Sequence, residues 1–216
     1  VFMVVLRPQV FKFFNKDLVT RSAFAGTFLG AGYILQTLGL ERTGAAITGF
    51  ITGLYVVFTP LIAALILKTR ITLITWGCVA LATIGLALLS VRGWSVGFGE
   101  LLVLGGAICF GAHIISLGKW SRGRDAYAMT VIQLAMCTVI TGLGSVAEGG
   151  YSPPPDWGVW ATVVFTAVVC TAVAFMVQTW SQAHMSTTKV AVILTMEVVF
   201  AAIFAILFGG EILTLQ

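Results

Sequence analysis

Seven long apolar stretches dominate the chain and restrict what it can fold into. They are Thr20–Leu40, Ala45–Leu67, Ile71–Val91, Gly97–Leu117, Ala126–Ala147, Trp157–Ser181 and Thr187–Phe208. Each is about 20 residues long, which is the length of helix that crosses a bilayer. Because none shows sustained alternation of apolar and polar residues, helices are favoured over barrel strands. With 59% hydrophobic and 9% charged residues, the sequence predicts an all-α, polytopic membrane helix bundle surrounded by the lipid bilayer.

The basic residues are distributed unequally between the two ends of these stretches. When crossings alternate, ten of the twelve Lys and Arg residues fall on one side, and only Arg42 and Arg92 fall on the other. The positive-inside rule makes the ten-residue side cytoplasmic. Membrane orientation therefore explains the net charge of +4, and no nucleic-acid partner is expected. The four cysteines lie in apolar runs without metal-ligand spacing, so neither a metal nor a cofactor is expected.

The chain also contains an internal copy of itself, shifted by 142 positions. When residues 31–73 are laid over residues 173–215 without a gap, Gln36 falls on Gln178 and the following threonines also coincide. The shift covers five predicted crossings, an odd number, so equivalent helices must point in opposite directions. The sequence thus predicts two inverted-topology repeats of five helices, with ten spans in the intact protein and seven complete ones here. Such repeats are typical of secondary transporters, in which the substrate site lies between the repeats.

Two segments of the chain resemble a known family. Thr48–Leu65 (TGFITGLYVVFTPLIAAL) and Leu194–Glu211 (LTMEVVFAAIFAILFGGE) resemble the repeat signatures of EamA-type transporters of the drug/metabolite transporter superfamily. The resemblance implies a first repeat over residues 1–92 and a second over 93–216, in a fragment that lacks the first span and most of the second and last. It also implies a multi-pass carrier of the bacterial inner membrane that moves a small organic metabolite or drug. Proton coupling and a homodimer are open alternatives within that interpretation.

Small residues and prolines predict where helices approach closely or bend. Two small-xxx-small motifs favour close helix contact. They are Gly26 with Gly30, and Gly49 with Gly53. The family pattern has a proline after the residue equivalent to Glu197, where this chain has Val198. The expected kink is therefore assigned to Pro60 of the first repeat instead.

A few polar and aromatic residues within the spans are candidates for substrate binding or coupling. Glu197 is the acidic residue deepest in a span, where a charged group is costly and usually functional, and it suits a cationic group or a proton. His113 can titrate near physiological pH. The other candidates are the repeat-equivalent Gln36 and Gln178, the unpaired Gln133, and the aromatic Tyr55 and Trp180. The polar candidates have a structural alternative, a hydrogen bond between helices that only stabilises the fold.

Two other functions compete with that of a carrier. With so few ionisable groups in the spans, a non-transporting membrane scaffold or sensor on the same fold is the first alternative, and a dry midplane around Glu197 would favour it. An intramembrane enzyme is the second, and it would need a base beside Ser116 or Ser145. Because the sequence shows no motif for such a base, it predicts a transporter and no enzyme.

Overall fold

The computed structural model of the protein is all-helical over the residues that it describes. These are residues 2–68, 97–147 and 153–194, together with positions 73, 74, 76, 77, 80, 81, 84, 196, 197 and 200. The α-helices are α1 (Phe2–Leu6), α2 (Lys16–Thr43), α3 (Ala45–Gly53), α4 (Tyr55–Leu67), α5 (Phe98–Trp120), α6 (Ala126–Ala147), α7 (Trp157–Phe165), α8 (Ala174–His184) and α9 (Thr187–Leu194). A 3-10 helix, Pro8–Phe13, follows α1, and a π-helix, Thr166–Val173, joins α7 to α8.

Five helical segments of the described chain are long and apolar enough to cross a membrane. They are Lys16–Thr43, Ile47–Ile66, Phe98–Trp120, Ala126–Val146 and Trp157–His184. They coincide with five of the seven predicted stretches. The stretch 71–91 and most of the stretch 187–208 lie outside the described residues, as does Val198. The fold is that of a polytopic helical bundle, and the protein is an integral, multi-pass membrane protein.

Ion pairs tie the beginning of α2, and the residue before the 3-10 helix, to the loop between α5 and α6. Arg124 Nη2 lies 2.6 Å from Asp17 Oδ2, and Arg7 Nη1 lies 3.1 Å from Asp125 Oδ2. Asp17 also pairs with Arg21 one turn later in α2, at 2.5 Å. These five residues form a clasp, and the charge count predicts that all three of its arginines lie on the cytoplasmic side. Beneath the clasp lies a buried apolar cluster of Val10, Leu18, Ala25, Leu117, Ala128, Met129 and Ile132.

The helices begin where a side chain can accept a hydrogen bond from a free backbone N–H. Asn15, Asp125 and Asp156 each accept such a bond from the residue three positions later, at 2.8, 2.8 and 3.0 Å respectively. This contact satisfies one of the donors that a helix N-terminus leaves unpaired. At the other end of α2, Gly44 turns the chain with a φ of 89°, a conformation that a side chain would strain.

Glycines allow α2 and α6 to pack closely. A Cβ atom added to Gly26 would lie 2.9 Å from Gln133 Cα and 2.9 Å from Met136 Cβ, and one added to Gly30 would lie 2.9 Å from Ile140 Cβ. Both glycines of the first predicted motif therefore lie at a helix–helix contact. Because the contacting positions rise together along the two helices, α2 and α6 run parallel, as expected for the first and fifth of the predicted stretches, which have three crossings between them.

A second glycine seam, which the sequence motif did not indicate, joins α2 to α5. A Cβ atom added to Gly39 would lie 2.8 Å from the Gly99 carbonyl oxygen, and one added to Gly106 would lie 3.1 Å from the Gly32 carbonyl oxygen. The order is reversed between the helices, so α2 and α5 are antiparallel. The glycines in each helix are seven residues apart, two turns on one face, which is why a search for four-residue spacing does not detect them.

The second predicted span is interrupted at Leu54, six residues before Pro60. The Leu54 N–H donates to the Ile51 carbonyl at 3.1 Å and closes a tight turn between α3 and α4. The helix α4 continues through Pro60, although proline has no N–H to donate. Gly53 is the last residue of α3, where glycine's low helix propensity favours an ending. Within the described residues, nothing lies within 4 Å of a Cβ atom added to Gly49.

The π-helix Thr166–Val173 widens the long helical segment between Trp157 and His184. Hydrogen bonds from residue i to i+5 are rare in proteins and occur frequently at functional sites. Here the wide turns directly precede Phe175 and Gln178, which both line a cavity between the helices that is described below. The irregular segment thus sets the rotation at which α8 presents these side chains.

Candidate functional site

A cavity of about 140 Å³ lies among α2, α3, α4, α5, α8 and α9. The polar residues that line it are Tyr33, Gln36, Thr52, Tyr55, His113, Gln178 and Glu197. The apolar residues that line it are Leu29, Phe110, Ile114, Phe175 and Leu194. Five of the seven binding or coupling candidates predicted from the sequence therefore border one space, although they come from five different helical segments.

One wall of the cavity is held by a hydrogen bond between helices. Gln36 Nε2 donates to Thr52 Oγ1 at 2.9 Å, which ties α2 to α3. Tyr55, only 7% exposed, packs with Ile114 and Ala191 beside this wall. Hydrogen bonds between membrane helices contribute roughly 0.6 kcal/mol on average. Gln36 therefore has a structural role in addition to its place in the cavity lining.

A buried hydrogen-bonded relay extends from the cavity through α6 to α8. His113 Nε2 lies 2.8 Å from Gln133 Oε1, and Gln133 Nε2 donates to Thr179 Oγ1 at 2.8 Å. All three side chains are at most 1% exposed. Because the amide oxygen can only accept, His113 must carry a proton on Nε2, and Nδ1 of the neutral ring is left as an acceptor. Gln133 thus lies behind His113 and fixes its tautomer.

Glu197 supplies the carboxylate of this cavity. It lies beyond the end of α9 and is exposed, with its side chain bordering the cavity. Among the lining residues that the structure describes, no other is acidic and none is a lysine or arginine. A carboxylate that lines a cavity without a basic partner among the described lining residues attracts an organic cation.

Trp180, the last of the predicted candidates, lies away from the cavity. It is 53% exposed, and its ring centroid is 4.6 Å from that of His184 on the outer face of α8. Its neighbour Thr179 points inward and ends the relay. The sequence places both residues in the same span but does not give the rotation of α8, which follows the π-helix.

A larger groove of about 490 Å³ lies between α6 and the π-helix, with Phe2–Val4 of α1 at its rim. Its lining is mainly apolar, and none of the described lining residues is charged. Tyr33 lies between this groove and the cavity and lines both. The smaller cavity therefore has the chemistry for selecting a solute.

Several cavity residues were not predicted as candidates from the sequence. They are Tyr33, Thr52, Phe110 and Phe175, together with Thr179 in the relay. Four of them could have been found from the internal copy. Tyr33 and Phe175 are separated by the same 142 positions as Gln36 and Gln178, and the same shift relates Thr52 to Leu194 and Thr37 to Thr179. Phe110 carries no such signal.

The structure also bears on the enzyme alternative. Ser116 Oγ donates to the Ala112 carbonyl at 2.8 Å, which is an ordinary bond within a helix. Ser145 is exposed near the end of α6. In the part of the chain that is described, neither hydroxyl bonds to a titratable side chain, and no group of three His, Cys, Asp or Glu residues could hold a metal ion. These residues thus provide no activated nucleophile.

The sequence was compared with those of known proteins. The profile of the EamA-like transporter family matches residues 1–91 and 97–216. A protein of Archaeoglobus fulgidus described as an uncharacterized transporter is 34% identical over 188 residues. The alignment covers 85% of this chain and 59% of that relative, so the chain spans about three fifths of the relative's length.

Proposed function

Because the chain belongs to the EamA-like transporter family, we propose that it is a secondary transporter that moves a small organic metabolite or drug by alternating access. In this proposal the cavity between α2, α4, α5 and α8 is the substrate site. It opens in turn to the two sides of the membrane, and that membrane is a bacterial inner membrane. The chain's two repeats cover residues 1–92 and 93–216.

One observation carries this proposal. Four pairs of cavity residues are separated by the 142 positions that relate the internal copies. They are Tyr33 with Phe175, Gln36 with Gln178, Thr52 with Leu194, and Tyr55 with Glu197. Equivalent residues of two repeats meet at one place when the axis that relates the repeats passes through that place. The convergence supports a pseudo-twofold axis through the cavity, as in carriers built from inverted repeats.

The proposal also fixes the relative direction of the helices that carry these pairs. In the proposed topology of five crossings per repeat and ten in the intact protein, α4 and the helix that begins with α9 run in opposite directions. Two halves of equal architecture and similar energy can exchange conformations, one opening inward and the other outward. An inverted repeat therefore provides the two states that alternating access requires.

Closure at one end of the bundle fits one of these states. The clasp joins Asp17 to Arg124 and Arg7 to Asp125 at the side proposed to be cytoplasmic. The buried cluster around Leu117 packs beneath it. In the proposal, these contacts close the cytoplasmic side of α2, α5 and α6 and separate when the cavity opens inward.

The chemistry of Glu197 suggests how transport is coupled. A carboxylate that holds either a proton or an organic cation cannot hold both, so the two compete for the same site. If the site changes its access from one side to the other with a proton bound, and changes back with the cation bound, the protein exchanges one for the other across the membrane. Proton coupling through Glu197 is part of the proposal, and the polar cavity around it supports a carrier over a scaffold.

Flux into vesicles tests the proposed function. The purified protein is reconstituted into liposomes, and uptake of amines, amino acids, nucleosides and drugs is measured with and without an imposed proton gradient. Uptake above that of protein-free liposomes, accelerated by unlabelled solute on the opposite side, is expected for a carrier. Absence of flux for every class under both conditions would refute transport and favour the scaffold or sensor.

A further inference from the structure

The four pairs of cavity residues differ in chemistry, and the differences give the cavity a direction. The first-repeat members are all uncharged and all carry a hydrogen-bonding group; they are Tyr33, Gln36, Thr52 and Tyr55. The second-repeat members are Phe175, Gln178, Leu194 and Glu197. The first-repeat residues thus offer hydroxyl and amide groups, while the second-repeat residues offer one carboxylate, one amide and two apolar side chains. A solute that pairs with both sets needs two different polar groups.

The charge of the cavity restricts the first of these groups. Glu197 carries a negative charge when ionised, and within the described residues no lysine or arginine shares the cavity with it. Because the relay holds the His113 proton on Nε2, Nδ1 of the ring is left to accept a hydrogen bond. An ammonium group on the solute neutralises the carboxylate, whereas a carboxylate on the solute would be repelled by that of Glu197.

Aromatic rings around the cavity favour the same group. Tyr33 and Phe110 meet edge to face with ring centroids 5.5 Å apart, and Phe175 meets the His113 ring in the same way at 5.8 Å. Ring faces that border a cavity attract cations through their quadrupole. Together with Leu194, the rings also supply apolar surface for a short hydrocarbon group.

The uncharged polar residues of the first repeat determine what the second polar group of the solute can be. Thr52 Oγ1 already accepts a hydrogen bond from Gln36, which leaves its own hydroxyl hydrogen free to donate. The phenol groups of Tyr33 and Tyr55 can each donate or accept. Such groups pair well with an uncharged hydroxyl, ether or carbonyl and need no charge on the solute.

We propose that the cavity selects a small organic monocation with one uncharged hydrogen-bonding group, in which the ammonium binds Glu197 and the neutral group binds Thr52 and Tyr55. This substrate class rests on the proposed function of the same cavity. Zwitterions such as amino acids are disfavoured, because their carboxylate adds a second negative charge beside Glu197.

Four probes that share one branched hydrocarbon group separate these requirements. Leucinol has an ammonium and a hydroxyl, isopentylamine has the ammonium alone, 4-methylpentan-1-ol has the hydroxyl alone, and leucine has the ammonium and a carboxylate. Binding to the purified protein in lipid nanodiscs is measured by calorimetry near neutral pH, where both amines are protonated. Leucinol is expected to bind most tightly, isopentylamine next, and leucine and the alcohol weakly.

Two variants assign the polar groups to their residues. Glu197→Gln should weaken the binding of leucinol by about tenfold or more, which is the usual contribution of a charged hydrogen bond. It should leave the binding of the alcohol unchanged. Tyr55→Phe should weaken the binding of leucinol by roughly three- to tenfold and leave the binding of isopentylamine unchanged. Glu100→Gln and Tyr127→Phe are matched controls outside the cavity lining, and both should bind leucinol as the unmodified protein does.

The proposal would be overturned if leucine bound as tightly as leucinol. It would also be overturned if Glu197→Gln reduced the affinities for leucinol and for the alcohol by the same factor. Equilibrium binding keeps this test separate from the flux test. Leucinol binding without any flux would refute transport and leave the selectivity of the cavity intact. Flux of leucine without leucinol binding would refute the substrate class and leave transport intact.

Discussion

Replacing Gly26 with leucine tests the helix contact that supports the cavity from behind. Gly26 of α2 packs against the backbone of Gln133 in α6, and the Gln133 side chain holds His113 at the cavity wall. A side chain at position 26 therefore pushes on a residue that positions the site. The variant should weaken the fold and disturb solute binding together.

The distances give the size of the effect. A Cβ atom at Gly26 would lie 2.9 Å from Gln133 Cα and closer still to its carbonyl oxygen. Because carbon atoms pack at roughly 3.5–4.0 Å, α2 and α6 must separate by about 0.6 Å or more. Overpacking of this kind typically costs about 1–3 kcal/mol. Because replacing glycine in a helix returns about 1 kcal/mol of helix propensity, a net loss of up to about 2 kcal/mol is expected.

The assay is unfolding in mixed lipid–detergent micelles with dodecyl sulfate, followed by circular dichroism. Gly142→Leu is the matched control, because Gly142 is exposed on α6 and nothing described lies within 4 Å of an added Cβ atom. The control should unfold at the same or a higher dodecyl sulfate concentration. If Gly26→Leu is as stable as Gly142→Leu, the close packing of α2 on α6 is wrong.

Three further experiments test the relay, the coupling residue and the topology. Gln133→Leu removes the acceptor that holds the His113 proton on Nε2. The imidazole ¹⁵N chemical shifts of His113 should therefore change to values that indicate a mixture of tautomers, and unchanged shifts would contradict the relay. Glu197→Gln should abolish uptake driven by a proton gradient, because the amide cannot titrate, and full gradient-driven uptake would make this residue structural. A cysteine at Arg122 should react with an impermeant thiol reagent from the cytoplasmic side and one at Pro154 only from outside, as the unequal distribution of basic residues predicts; reaction of both from one side would refute that orientation.

The sequence was sufficient for the class of a polytopic helical bundle, and five of its seven candidate residues line the cavity. Long apolar runs can satisfy their backbone in a membrane only as helices or closed barrels, and their lack of alternation selects helices. Gln36 and Gln178 were predicted as cavity residues because equivalent polar positions in two repeats face a shared space. Their place in the cavity lining agrees with that reasoning, and so does that of Glu197.

Helix rotation and local breaks could not be predicted in the same way. Trp180 faces outward and Thr179 inward because the π-helix sets the rotation of α8, and no composition rule indicates that segment. The interruption at Leu54 depends on how α3 and α4 pack, whereas the sequence pointed to Pro60. Gln133 lies behind His113 because α6 is one layer away from the cavity, and periodicity does not give that distance.

Accessibility of the cavity from the two sides of the membrane tests alternating access most directly. The repeat-equivalent positions Thr52 and Leu194 are changed singly to cysteine in protein whose four native cysteines are replaced by alanine. An impermeant thiol reagent is then applied to oriented vesicles from either side, with and without a proton gradient. Alternating access predicts that both positions react from both sides, that the gradient shifts reactivity from one side to the other, and that leucinol protects them. Reaction from one side only, under every condition, would contradict it.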